Sequence, residues 1–163
     1  MLEDLHPQAL RIANLLRERG EKVAIADGAS GGLIAAALLT VPGALDFYVG
    51  GGIVYSFRAR DVLFGQDREA WRGMRGATEP YALLQARGIR ETFRADWGLA
   101  ESGSAGGSAH PSGAANGRSV AAIVGPPGEF TRLTETESGE RIANMQAFTR
   151  GALTLLEDAL SSA

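Results

Sequence analysis

The chain contains no cysteine, two histidines and one lysine, Lys22, among its 163 residues. Without cysteine there is no disulfide, no thiolate nucleophile and no sulfur-ligated metal, which fits a reducing compartment and removes the enzyme classes that rest on those groups. His6 in the N-terminal segment and His110 in a Gly/Ser-rich stretch read as solvent-exposed, whereas a Ser-His triad needs its imidazole locked against the serine. The rest of the 16 basic residues are arginines, which stay protonated and cannot stand in for lysine as a general base. Acid-base chemistry is left to carboxylates, tyrosine, Lys22 or water, and neither a metal site nor a cofactor is expected. No apolar run reaches the roughly 18 residues that cross a bilayer, and Met1 to Pro7 is acidic rather than basic, so neither a membrane span nor a leader is expected. A net charge of -3 and a pI near 5.4 give no broad positive field for a phosphate backbone, which excludes a general nucleic-acid binder. A cytoplasmic location is expected by elimination.

What is present reads as one α/β domain over residues 1–163, a length that buries one substantial core. Leu5, Ala9, Ile12, Leu15 and Leu16 recur at helical spacing before Gly20, predicting a helix over 7–19. Val23 to Ala26 is a short continuous apolar run, as in a strand covered on both faces. Leu33 to Val41 predicts a second helix that stops at Pro42-Gly43. Phe47 to Tyr55 carries strand formers around Gly50, Gly51 and Gly52, which point to a bulge or a close backbone approach. A short helix over 58–64, a helix from Thr78 towards Phe93 and a strand over 97–101 follow. Residues 102–117 have almost no large side chains and are expected to form a flexible Gly/Ser-rich loop. Val120 to Val124 and Phe130 to Leu133 predict a hairpin whose Gly125-Pro126-Pro127-Gly128 connection is too proline-rich for a tight two-residue turn. A final helix, with Ser138 as its cap, carries Ile142, Met145, Phe148, Ala152, Leu155, Leu156 and Ala159 on one face.

Alternating strands and helices imply a sheet layered between helices, where ligands bind beyond the carboxyl ends of the strands. Asp27-Gly28-Ala29-Ser30-Gly31-Gly32 lies there, joining a strand to a helix N-terminus whose free amides favour an anion such as phosphate. Ser30 could cap the helix or touch the ligand. A tight turn whose glycines only relieve crowding is the equal alternative, because the segment matches neither the Walker nor the dinucleotide pattern.

Ala26 to Gly32, followed by Leu33-Ile34-Ala35, resembles the Ala-Glu-Ser-Cys-Thr-Gly-Gly segment of the CinA C-terminal domain family, which includes the bacterial nicotinamide-mononucleotide deamidases. Further segments agree in order. Val41 to Ala44 is similar to the family's post-helix turn, Gly51 to Arg60 to its Gly-x-Val-x-Tyr-Ser-Asn-x-x-Lys strand, and Gly76-Ala77 to the start of its central helix. Gly98 to Gly107 and Gly139-Glu140-Arg141 are similar to its Gly-Leu-Ala-Val-Thr-Gly-Ile-Ala-Gly-Pro loop and late Gly-Asp-Arg. The resemblance spans residues 9–160 and implies a three-layer α/β/α sandwich that self-associates as a dimer or higher homo-oligomer.

It also implies where the chemistry would sit. The family's nucleophilic serine and its basic lysine correspond to Gly28 and Arg60. Glycine offers no attacking atom, and a guanidinium takes no proton near neutral pH. The family's Glu, Cys and Thr correspond to Asp27, Ala29 and Ser30, and its Asn to Phe57. Gly31, Gly32, Tyr55 and Ser56 are kept. Ser102-Gly103 keeps a hydroxyl where the family has Thr, Glu101 puts an acid where it has an apolar residue, and Arg141 survives although the arginine one turn later is Met145.

Three functions follow as expectations. The favoured one is an inactive module binding a small anionic, nucleotide-like metabolite, with Asp27, Gly28, Ser30, Gly31, Gly32, Tyr55, Arg60, Ser102, Gly103 and Arg141 around it. The second is an amidohydrolase with a rearranged site, for which Ser30, Tyr55 and Glu101 are the weak catalytic candidates. Glu101 reads first as a solvated acid or one paired with Arg60 or Arg141, and only second as a catalytic group. The third is a structural or regulatory subunit without ligand.

Overall fold

The structure is a computed structural model and describes residues 1–65 and 69–163. Five strands form one sheet in the order β2-β1-β3-β4-β5. β1 (Val23–Asp27) runs parallel to β2 (Tyr48–Ile53) and to β3 (Trp97–Ser104). β3, β4 (Arg118–Gly125) and β5 (Gly128–Glu135) are antiparallel. Helices α1 (Leu2–Arg19), α2 (Leu33–Leu39) and α5 (Arg141–Ser162) cover one face, and α4 (Glu79–Phe93) covers the other, with α3 (Phe57–Phe64) packed against α4. Among the described residues no helix is long and apolar enough to cross a membrane.

Alternation along β1 explains the sandwich. Val23 and Ile25 pack with Leu16, Ile34, Phe47 and Leu156 in one core, whereas Ala24 and Ala26 face Ala82, Ala86 and Ile89 of α4 in the other. A strand buried on both sides needs apolar residues at every position, which is why it reads as a continuous run. Alanines on the α4 side bring that helix close. The Gly50–Gly52 run serves both expected purposes: the β1–β2 register shifts between Val23 and Ala24, and a Cβ at Gly51 would overlap the Ile25 backbone carbonyl.

Several boundaries differ from the expectations. α1 starts at Leu2 and carries Pro7 inside, because the apolar face extends to buried Leu5 and the helix gives up one backbone bond at the proline. Ser102 to Ser104, expected in a flexible loop, belong to β3 and pair with Val120 to Arg118; partner strand and burial, rather than side-chain propensity, place them there. The hairpin also tightens. Gly125 pairs with Gly128, so Pro126 and Pro127 alone make the turn, with Gly128 at φ +142° taking the return that an L side chain would resist. Ser138 does not cap α5, whose N-cap is Glu140; its hydroxyl accepts from the Glu140 amide just outside the helix.

Candidate functional site

The turn after β1 is folded around a carboxylate of its own chain. The amides of Gly28 and Ser30 donate to Glu101 Oε2 at 3.2 and 2.8 Å, and Glu101 Oε1 lies 2.5 Å from Ser119 Oγ. The Gly31 amide donates back to Gly28 O. The amides of Gly28, Ser30 and Gly31 are therefore used within the chain and are not offered to an outside anion. Asp27 accepts from the amides of Ile34 and Ala35 at the start of α2, and Ser30 Oγ lies 2.7 Å from both Asp27 Oδ1 and Glu101 Oε2. Glu101 and Ser30 are 0 % exposed and Asp27 1 %. Burial pushes the Glu101 carboxyl above its ordinary 4.5 and Asp27 above 3.8, against the hydrogen bonds that pull each down. Glu101 is neither solvated nor paired with Arg60 or Arg141.

Next to this turn, beyond the ends of β1 and β3, opens a cavity of about 660 Å³. Of the expected ligand-binding residues, Gly28, Tyr55, Ser102, Gly103 and Arg141 line it, while Asp27, Ser30, Gly31, Gly32 and Arg60 do not. Its wall also holds Phe57, Arg75, Tyr81 and His110, and among the described residues it includes no aspartate or glutamate. That exclusion is local, because acids outnumber bases 19 to 16 in the chain. Tyr55 and Phe57 leave 68 % and 52 % of their surfaces open, as rings at a rim.

Arg141, in the first turn of α5, donates to Gly106 O at 2.7 Å and to the Tyr55 hydroxyl at 3.0 Å. Its cation and the Tyr55 ring are thus held as one unit. Asn144, a residue without sequence signal, holds the wall behind them: its side-chain amide donates to Ala105 O and Ser138 O, and its Oδ1 accepts from Thr136 Oγ1. On the opposite wall Ser102 Oγ accepts from the Ala77 amide, and Arg118 donates to Ala77 O. Those contacts hold Ala77 at φ 56°, a left-handed conformation an alanine rarely takes.

Arg60 is used elsewhere. Its guanidinium lies 4.9 Å from the Phe57 ring and 4.7 Å from the Trp71 ring and is paired with Asp61. It is a buried cation clamped between aromatic faces, and it reaches the cavity only through its neighbour Tyr81 of the wall.

Neither histidine is the solvated side chain expected. His6 Nδ1 lies 2.9 Å from Thr40 Oγ1. His110 lines the cavity, half-buried, and burial lowers its pKa below 6.5. Its Nδ1 accepts from the Ser112 amide and lies 2.7 Å from Ser112 Oγ. Because a backbone N–H must donate, Nδ1 carries no proton, and the neutral ring keeps its proton on Nε2. Only its place in a Gly/Ser stretch was visible in the sequence.

Comparison with known proteins bears on the family and the fold. A family model described as the CinA C-terminal domain matches residues 6–160. A CinA-like protein of Prochlorococcus marinus is 35% identical over 121 residues, 72% of this chain and 27% of that protein. One of Mycobacterium avium is 33% identical over 161 residues, 93% of this chain and 36% of that protein. The chain thus spans about a quarter to a third of the length of these curated relatives. Among solved structures, a competence-damaged protein (CinA) superfamily protein of Klebsiella pneumoniae superposes with a TM-score of 0.88 at 24% identity, covering 98% of this chain and 99% of that one. A competence/damage inducible protein of Agrobacterium tumefaciens gives 0.86 at 26% identity, covering 97% and 96%.

Proposed function

The chain belongs to the CinA C-terminal domain family, and from that premise we propose that its cavity binds a small anionic, ring-bearing metabolite of nucleotide-like size without hydrolysing it through a serine–lysine pair. The observation that carries this reading is the composition of the cavity wall: Arg75 and Arg141, open tyrosine and phenylalanine rings, and no carboxylate among the described residues. In a chain of net charge -3, such a wall selects against cations and for an anion. Its volume suits a metabolite-sized ligand. Arg141 would meet the charge, Tyr55 and Phe57 the ring, and the Ser102 hydroxyl, whose oxygen is already engaged by the Ala77 amide, would donate.

The test is thermal unfolding with nicotinamide mononucleotide, other mononucleotides and inorganic phosphate, each with an ammonia-release assay. A ligand at about 100 times its Kd stabilises by roughly 2.7 kcal/mol. A Tm raised by a mononucleotide without ammonia release supports the proposal; a Tm unmoved by all of them overturns it.

A second reading, an amidohydrolase with a rearranged site, is favoured by the 2.7 Å contact between Ser112 Oγ and His110 Nδ1 on the cavity wall. Ammonia release that disappears in His110→Gln would establish it. Self-association is also part of the proposal: β2 is a sheet edge with exposed Val49 and Ile53, and the mass in solution tests it.

A further inference from the structure

Outside the ligand site, Ser30 stands between two carboxyl groups with one proton to give. Ser30 Oγ lies 2.7 Å from Asp27 Oδ1 and 2.7 Å from Glu101 Oε2, both hydrogen-bond distances. A serine hydroxyl has one proton to donate, and an ionised carboxylate has none. One serine proton serves one of the two contacts, and the other needs a proton from a carboxyl group. Two ionised carboxylates would leave a bare oxygen-to-oxygen contact in a site closed to water.

Both acids accept backbone amides. Asp27 receives those of Ile34 and Ala35, and Glu101 Oε2 those of Gly28 and Ser30, so each has donors that favour its ionised form and neither is marked as sole holder of the proton. We infer that Asp27, Ser30 and Glu101 form one hydrogen-bonded chain in which the two carboxyl groups hold a single proton between them, Ser30 accepting from one acid and donating its own proton to the other, so that the pair carries one negative charge.

The charges facing the pair agree. From β1 comes Asp27 itself, and the Tyr48 hydroxyl on β2 feels the Asp27 charge. On β4, Arg118 next to Ser119 directs its guanidinium to Ala77 O and Glu135. From α5, Met145 and Phe148 pack near the turn. Arg60 and Arg141 are engaged elsewhere, and among the described residues neither Glu101 nor Asp27 has an ion pair. Among the described residues no cation compensates a second negative charge, and burial raises the affinity of both acids for the proton.

The proton is bound in the folded state and released in the unfolded one above the ordinary carboxyl range. Its contribution is complete below the ordinary Glu value of 4.5 and is lost as pH rises towards the folded value. The experiment compares full-length wild type, Glu101→Gln and Asp27→Asn by Tm against pH and by the infrared carbonyl band of a protonated carboxyl. Wild type is expected to show that band near neutral pH and to lose about 2–4 °C of Tm per pH unit across the window. Each variant removes one of the two acids that share the proton, so Glu101→Gln and Asp27→Asn are each expected to lose both the band and the pH slope. A wild type without the band, or a band and slope that persist unchanged in both variants, overturns the assignment. If Glu101→Gln does not fold, the wild-type band decides. None of these readouts involves a ligand, so the result stands apart from the cavity proposal.

Discussion

Gly28 lies so close to Glu101 that a Cβ built on it would overlap the Glu101 backbone carbonyl oxygen. The position that the resemblance matches to a serine is closed here by neighbouring main chain. Gly28→Ser must therefore push β1 from β3, a distortion of the overpacking kind that costs about 1–3 kcal/mol. The variant is expected to melt several degrees below wild type and to release no ammonia from nicotinamide mononucleotide, alone or with Arg60→Lys. A Gly28→Ser protein with wild-type Tm and measurable deamidation would show that the turn relaxes more readily than its contacts imply.

Arg60→Lys, although it installs the base that the resemblance matches to this position, is expected to destabilise. Arginine is held by planar contact with Phe57 and Trp71 and by two donors to Asp61. Lysine keeps the charge and loses the plane and the fork. A loss of about 1 kcal/mol, read as a lower Tm together with a changed emission from Trp71, is the expected outcome. An unchanged Tm would mean that the aromatic clamp contributes little.

These two positions show what sequence reading reaches. The missing hydroxyl at Gly28 and the missing base at Arg60 are legible, because they concern which atoms exist. The sandwich is legible for a related reason: β1 is buried on both faces, and only a run such as Val23 to Ala26 satisfies that. The fate of Glu101 is not legible. Its partners Gly28, Ser30 and Ser119 are distant in sequence, and no local pattern marks an acid that fills a turn of its own chain. Ser102 to Ser104 mislead in the same way, since a Ser/Gly strand is made by its partner β4 and its burial. His110 reads as solvated because the Gly/Ser stretch around it hides that the chain folds back over Gly76.

Gln85 points to a stabilising change. Its side chain is buried on α4 beside Tyr81, and among the described residues neither its oxygen nor its nitrogen has a partner at hydrogen-bond geometry. A buried polar group without a partner costs about 1–3 kcal/mol, and an apolar group of the same shape removes that penalty. Gln85→Met is expected to raise Tm by about 2–4 °C. A lower Tm would show that the amide is satisfied in solution.

His110 gives the acidic side of the stability profile, with sign opposite to that of the buried carboxyl pair. Burial depresses its pKa below the ordinary 6.5, so the unfolded chain takes up a proton before the folded one does. Stability from this residue is present above 6.5 and is lost as pH falls through that value towards the folded pKa. Protonation would also put a proton on Nδ1, against the Ser112 amide and hydroxyl. His110→Gln is expected to flatten this acid-side loss while leaving the alkaline slope unchanged. An unchanged acid limb would assign the loss to other groups.

Arg141 and Asn144 separate ligand contact from wall support. Arg141 keeps its cation at the cavity, anchored by Gly106 O and the Tyr55 hydroxyl, whereas Asn144 is buried behind the wall and touches only the chain. Arg141→Met retains much of the side-chain volume and removes the charge. It is expected to lower the ligand-free Tm little and to abolish the Tm gain from anionic mononucleotides, an affinity loss of tenfold or more, since charge-assisted bonds contribute about 1.5–3 kcal/mol. Asn144→Ala leaves buried donors and acceptors of three segments unpaired and is expected to lower the ligand-free Tm markedly, with a smaller loss of response to ligand per degree of destabilisation. Equal ligand responses in wild type and Arg141→Met would remove the arginine from the proposed site, and the charge of the ligand with it.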